Sequence, residues 1–284
     1  MVTFSPAQVC VKVGTAGKSK CSLPAGNMFV RAFLAGAYIA MGAALATVGS
    51  TGVADSLGAG IAQFILGALF PIGLILVVLT GAELFTGDAM FAPMAILQGH
   101  TGLKGLIYLW VVVYIGNLVG SLFMAYVMAN GPFVSYATGT AVVTAFGTRA
   151  IGIATAKVSY AGIGGIWSVF LKGILCNWLV CLAIFLGLAA DEVISKIVAI
   201  WFPILAFVAS GFEHCVANMY FIPAGILTNM VAGTADTNLL NWGTMWTNNI
   251  IWSTLGNIVG AVIFMAIIYY YCYKSEICAL CEAK

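Results

Sequence analysis

Charge is what this chain has least of. Only 7% of its 284 residues are Asp, Glu, Lys or Arg, against about 25% in a soluble domain. So few charges cannot cover a water-facing surface. With 62% hydrophobic residues, the composition is that of a polytopic membrane protein. The net charge of +2 is too small to suit a nucleic-acid partner. Histidine is nearly absent, with only His100 and His214. No metal-ligand cluster and no nucleophile beside a base is visible, so no metal, no cofactor and no membrane enzyme is expected. Eight cysteines are present, but the one CxxC, "CALC" at 278–281, lacks a second pair and is a weak signal. Residues 1–26 carry Lys12, Lys18 and Lys20 without an apolar core of signal-peptide length. They read as a short cytoplasmic polar segment rather than a cleaved leader.

What the chain does have is long apolar runs. They cover about 27–49, 58–80, 105–129, 163–190, 193–210 and 248–273, each near the roughly 20 residues a helical span needs. Two shorter apolar pieces, about 86–98 and 216–232, follow full runs directly. Gly and an acid intervene at "TGAELFTG" (80–87) and "SGFEHCVA" (210–217). These are expected to be interrupted helices, the second and fifth of six. The transmembrane domain is therefore 27–273, with a tail at 274–284. Lys and Arg set the orientation. With the N-terminus in the cytoplasm, Lys12, Lys18, Lys20, Arg31, Lys104, Lys196, Lys274 and Lys284 fall on that side. Arg149, Lys157 and Lys172 fall opposite. Both termini are expected in the cytoplasm.

The halves repeat. A displacement of 130 positions lays "GAELFTGDAMFAPMAIL" (81–97) on "GFEHCVANMYFIPAGIL" (211–227). Gly81 meets Gly211, Glu83 meets Glu213, Phe91 meets Phe221 and Pro93 meets Pro223. A displacement of 140 lays "GNLVG" (116–120) on "GNIVG" (256–260). Each half has three spans with the middle one broken. Three is odd, so the second half enters the membrane inverted, and the two breaks meet near the midplane.

Backbone that leaves a helix at membrane depth is tolerated only where protein buries it or water reaches it. A helix that restarts there points its partly positive N-terminus at the centre. Two such ends make a site for a small anion. At the second break stand Glu213 and His214, while the first has Glu83 but Leu84 in the histidine's place. One histidine thus faces Thr86 of the first break, and ionisable groups at this depth mark a pathway. Glu83 and Glu213, at matching positions, are expected to do one structural job, capping the freed N–H groups. Lys157 and Arg149 can bring charge to the pore mouth or simply decorate a surface.

"GAELFTG", "GILCNWLVCLA", "FVASGFEHCVANMYFIP" and "GNIVG", in this order, resemble the formate/nitrite transporter family over nearly all of 27–273. "CNWLVCLA" and "HCVANMYFIP" resemble the formate-uptake branch found beside formate dehydrogenases. The resemblance implies an all-α, six-span, aquaporin-like protomer, a 3+3 inverted repeat with helices 2 and 5 broken. It implies assembly as a homopentamer in the cytoplasmic membrane, with one pore per protomer. It also implies passage of small weak-acid anions: formate above all, alternatively nitrite, hydrosulfide, acetate or lactate. Carried over by position, the pore residues are His214, Thr86, Asn177, Asn257 and, at the vestibule, Lys157. The constrictions fall on Phe70, Leu74, Leu84, Phe85 and Phe207. Rival readings fit less well. A pore for water or glycerol would carry paired Asn-Pro-Ala turns, and neither break has one. A scaffold without flux leaves an ionisable pair at a doubled break without purpose.

Overall fold

The computed structural model describes residues 3–137 and 139–282. Lys284, counted above among the cytoplasmic charges, lies outside them. The chain is almost entirely helical. A capping box opens α1 (Pro6–Cys21): the Ser5 hydroxyl accepts from the Gln8 N–H, and the Gln8 side chain accepts from the Ser5 N–H. The first half continues with α2 (Ala25–Gly49), α3 (Val53–Leu57), α4 (Ala59–Leu69), α5 (Ile72–Thr80), α6 (Phe85–Leu97) and α7 (Leu103–Asn130). The connection to the second half holds a two-stranded antiparallel hairpin, Val134–Ser135 with Val142–Val143. It also holds α8 (Ala145–Val158). Then follow α9 (Gly162–Ala189), α10 (Val193–Ala209), α11 (Cys215–Ala232) and a terminal helix, Trp242–Glu282. That last helix contains π-helical stretches at Met245–Ile250 and Val262–Ile267.

The six spans form a 3+3 inverted repeat of aquaporin-like plan. The second span is α4–α5 with α6 beyond its break; the fifth is α10 with α11 beyond its break. α11 alone has the length and hydropathy of a full span. It nevertheless starts at the break and is buried along most of its length, so it serves as a half-helix. Both breaks open on a left-handed glycine, Gly81 at φ 72° and Gly211 at φ 70°. Glycine takes that conformation at little steric cost, where a Cβ would be strained.

α1 was expected to be a polar tail. Instead it packs against α6, with Val9, Cys10 and Val13 fully buried. Its counterpart is α8, which precedes the second set of three spans and packs against α11. The repeat therefore has four helices per half. The sequence repeat does not reveal this, because α1 and α8 share little sequence.

Span crossings in both halves are close. A Cβ on Gly120 would overlap the Phe33 carbonyl, and one on Gly260 the Ile174 carbonyl. Such small-residue contacts drive helix association in lipid. Gly120→Val and Gly260→Val are expected to cost about 1–3 kcal/mol each by overpacking. The loss would be read as a lower melting temperature in detergent. Gly26→Ala, where a Cβ meets nothing within 4 Å, should leave melting unchanged.

Candidate anion pore

The two breaks are held by one device used twice. In the first half, Asn117 Oδ1 accepts from the Phe85 N–H at 2.8 Å. Its amide donates to the carbonyls of Ala32 at 2.8 Å and Glu83 at 2.9 Å. In the second half, Asn257 Oδ1 accepts from the Cys215 N–H at 2.9 Å. Its amide donates to Gly173 at 2.8 Å and Glu213 at 2.9 Å. The backbone N–H of Glu83 reaches the Arg31 carbonyl, and that of Glu213 the Lys172 carbonyl, both at 3.3 Å. Capping of the restarting helices therefore falls to the asparagines and not, as expected, to the glutamates. An amide offers both a donor and an acceptor to irregular backbone, which a carboxylate cannot.

The breaks meet. Thr86 Oγ1 lies 3.1 Å from His214 Nε2, although 128 positions separate them in sequence. His214 is also the N-cap of α11, its Nδ1 accepting from the Ala217 N–H at 3.0 Å. A backbone N–H can only donate, so Nδ1 carries no proton. The neutral ring then has its hydrogen on Nε2, aimed at Thr86. Asn177 holds the other side of this pair, donating to the carbonyls of Thr86 at 3.0 Å and Asn257 at 2.7 Å. All of these side chains are buried.

A cavity flanks the centre on each side. The two lie on opposite faces, since three crossings separate α1 from α8. The cavity on the Lys157 side has a volume of about 270 Å³ and is lined by Phe70, Phe207, Phe221, Lys157, Glu213 and His214, among others. Phe70 and Phe207 pack edge to face with ring centres 5.7 Å apart, and Phe207 stacks on His214 at 5.8 Å. Glu213 is saturated. It accepts from Lys157 at 2.8 Å, Tyr160 at 2.9 Å, Asn218 at 2.7 Å and Asn249 at 3.2 Å. Burial, reinforced by the Glu213 charge, pushes the Tyr160 phenol up, so it keeps its proton and donates.

On the Lys20 side a cavity of about 160 Å³ is lined by Lys20, Leu84, Asp88, Phe91 and Ile184, among others. Lys20, from α1, pairs with Glu83 and lies 3.1 Å from Asp88 Oδ1. Arg31 stands 3.9 Å from Glu83. Burial works against the charge on Lys20, but Asp88 and Glu83 together outweigh it and hold its pKa above the usual lysine value.

Not every expected residue reaches a cavity. Phe70, Phe207, Leu84, Lys157 and His214 do. Phe85 points away, its ring 4.9 Å from Tyr114 and 5.9 Å from Trp110. Leu74 is buried and lines neither of these cavities. Asn177 and Asn257 spend their donors on backbone. Sequence reasoning missed Lys20, Phe91, Phe221 and the clamp by Asn117. Phe91 and Phe221 were visible as repeat mates, and Asn117 as the mate of Asn257. Lys20 had no such signal.

A buried polar pair between two cavities bordered by aromatic rings suits a channel or transporter. The family profile described as Formate/nitrite transporter matches residues 7–271, and the chain belongs to that family. It is 42% identical over 283 residues to a probable formate transporter of Methanothermobacter thermautotrophicus, covering 96% of this chain and 98% of the relative. It is 34% identical over 246 residues to the nitrite transporter NirC of Escherichia coli (strain K12), covering 86% and 83%. A solved pentameric formate channel with formate bound superposes with a TM-score of 0.74 at 32% identity, covering 88% of this chain and 98% of that one.

Asn117→Ala and Asn257→Ala each orphan one buried N–H and two carbonyls, at about 1–3 kcal/mol per group left unpaired. Both variants should melt well below the parent in detergent, and Asn→Asp, which keeps the acceptor, should fall between. Melting curves that coincide with the parent's would show that something else holds the breaks.

Proposed function

We propose that this protein passes formate across the cytoplasmic membrane, with the His214–Thr86 pair as the central site. The observation that carries the reading is their 3.1 Å contact, formed where two half-helix N-termini converge between two cavities. The Nε2–H of His214 and the hydroxyl of Thr86 offer two donors to a small anion. The aromatic ring of Phe70 and Phe207 on one side, with Leu84 and Phe91 on the other, makes a bare charge costly. Low polarity also favours the protonated form of a weak acid. The anion is drawn in by Lys157, takes up a proton as it leaves water, crosses as the neutral acid and ionises on release. Flux therefore rises as the pH on the donor side falls.

Nitrite and hydrosulfide are anions of weak acids too, and the likeness to a nitrite transporter keeps nitrite as the second reading. The closer identity to a probable formate transporter supports formate. The assembly we infer is a homopentamer, as in the pentameric formate channel. Its termini, residues 1–26 and 274–284, lie in the cytoplasm, as the distribution of Lys and Arg supports.

The test is flux of formate, nitrite and hydrosulfide into vesicles containing the pure protein, across a pH series. Parent protein should pass formate at the lowest half-saturating concentration. His214→Asn keeps an N-cap acceptor while removing the Nε2 donor, so it should assemble and melt normally but lose most formate flux across the pH series. Parent-like flux in this variant would remove His214 from the mechanism.

A further inference from the structure

The cations near the Lys157-side cavity are unequally committed. Lys157 is paired with Glu213 at 2.8 Å. Lys172 donates to the Tyr160 hydroxyl at 2.9 Å and lies over its ring. Arg149 differs from both. It lines the same cavity, yet among the described residues it forms no ion pair, and its Nε is buried without a hydrogen-bond partner. A buried N–H of this kind calls for an acceptor.

The placement is regular. Arg149, Ile153, Ala156 and Lys157 on α8, with Tyr160 just beyond it, all line the cavity, at the three- and four-residue spacing of one helix face. Arg149 lies two turns from Lys157, about 12 Å along the axis at 1.5 Å per residue. Lys157 sits against Glu213, next to His214, and Arg149 is the cation further along that face.

Among the described residues, the lining of the Lys20-side cavity has no such group. Lys20 and Lys157 are 137 positions apart, and the same displacement takes Arg149 to Lys12. That ammonium donates to the Leu188 carbonyl at 3.3 Å and lies over the Phe4 ring. It does not line the Lys20-side cavity, which has Asp88 where the other half has Asn218. One vestibule therefore carries an uncommitted cation, and the other an extra carboxylate.

We propose that Arg149 is the capture residue for the substrate anion on the Lys157 side, its guanidinium fork taking both oxygens of a carboxylate or of nitrite before the anion passes between Phe70 and Phe207. This rests on the anion-transport reading above. A planar fork of donors matches a two-oxygen anion in a way an ammonium does not. Capture is therefore chemically selective as well as electrostatic, and it acts from one face of the membrane.

The experiment uses full-length protein in vesicles of determined orientation. Initial flux of formate, nitrite and hydrosulfide is measured against concentration, from each side, at low and high ionic strength. Arg149→Gln should raise the half-saturating concentration for formate and nitrite roughly three- to tenfold, the scale of a partly exposed charged contact. The change should appear only from the Lys157 side, with the smaller effect on maximal flux and a weaker dependence on salt. Arg149→Lys keeps the charge and loses the fork. It should leave hydrosulfide near the parent value while formate and nitrite stay weakened. Melting curves on both variants confirm that they fold, and Arg149→Lys carries the test where the Gln form does not. Parent-like half-saturation for formate and nitrite in a folded variant overturns the proposal. So does an equal change from both sides. Saturable flux in the parent with no effect at Arg149 defeats this inference alone, whereas a parent that passes none of the three anions defeats the transport reading and this inference with it.

Discussion

A polypeptide that leaves its helix inside a membrane has to pair its backbone without water, and the rest of this structure follows from how that is done. Asn117 and Asn257 each gather three backbone groups: one N–H at a helix restart and two carbonyls, one of them on the first span of the same half. Each asparagine comes from a third span, so the clamp ties all three spans of its half at the depth of the break. A reference state in which these groups stay unpaired in hydrocarbon costs several kcal/mol per group. That cost fixes where α6 and α11 begin. It thereby fixes where His214 stands and in which direction its Nε2–H points.

The frame is symmetric and its decoration is not. Both halves share the left-handed glycine, the glutamate, the clamp, the half-buried lysine delivered by a helix outside the repeat's spans, and the aromatic residue one turn beyond the acid or amide. Glu83 and Glu213 each hold that lysine, Lys20 or Lys157. Their matched placement is electrostatic: each offsets a cation next to a path through low dielectric, where an unpaired charge of either sign is costly. Three of the positions that differ bear on the pore. Leu84 stands for His214, Thr86 for Val216 and Asp88 for Asn218. The first two build the single polar contact at the centre, and the third gives the two vestibules different charge.

Much of this was legible in the sequence because the signals are local or repeated. Spans show as runs of apolar residues near 20 in length, and breaks as Gly with an acid in such a run. The inverted plan follows from an odd number of spans per half, and with it the approach of His214 to Thr86. The illegible parts depend on direction. Phe85 and Leu84 are adjacent in sequence, but the chain leaves an extended segment there, so one lines a cavity and the other turns to Trp110 and Tyr114. Residue type could not separate a glutamate that caps backbone from one that holds a lysine, because a carboxylate suits both. α1 was hidden for a different reason. Its buried face is short and interrupted by Lys and Gly, and what that face covers, chiefly α6 and the terminal helix with α9 and α7, is distant in sequence.

The difference between Leu84 and His214 has a consequence for how such a pore arises. Two identical three-span chains assembled head to tail would apply the same residue to both breaks. Two copies of the first half would bring two Leu–Thr sets to the centre and two copies of the second half two His–Val sets, and neither places one histidine against a threonine hydroxyl. A single His–Thr contact requires two halves that differ at these positions, and joining them in one chain guarantees that each pore has one of each. The covalent link between α7 and α9 is in that sense part of the selectivity, since it assigns each half a permanent and different role in the same ring of residues.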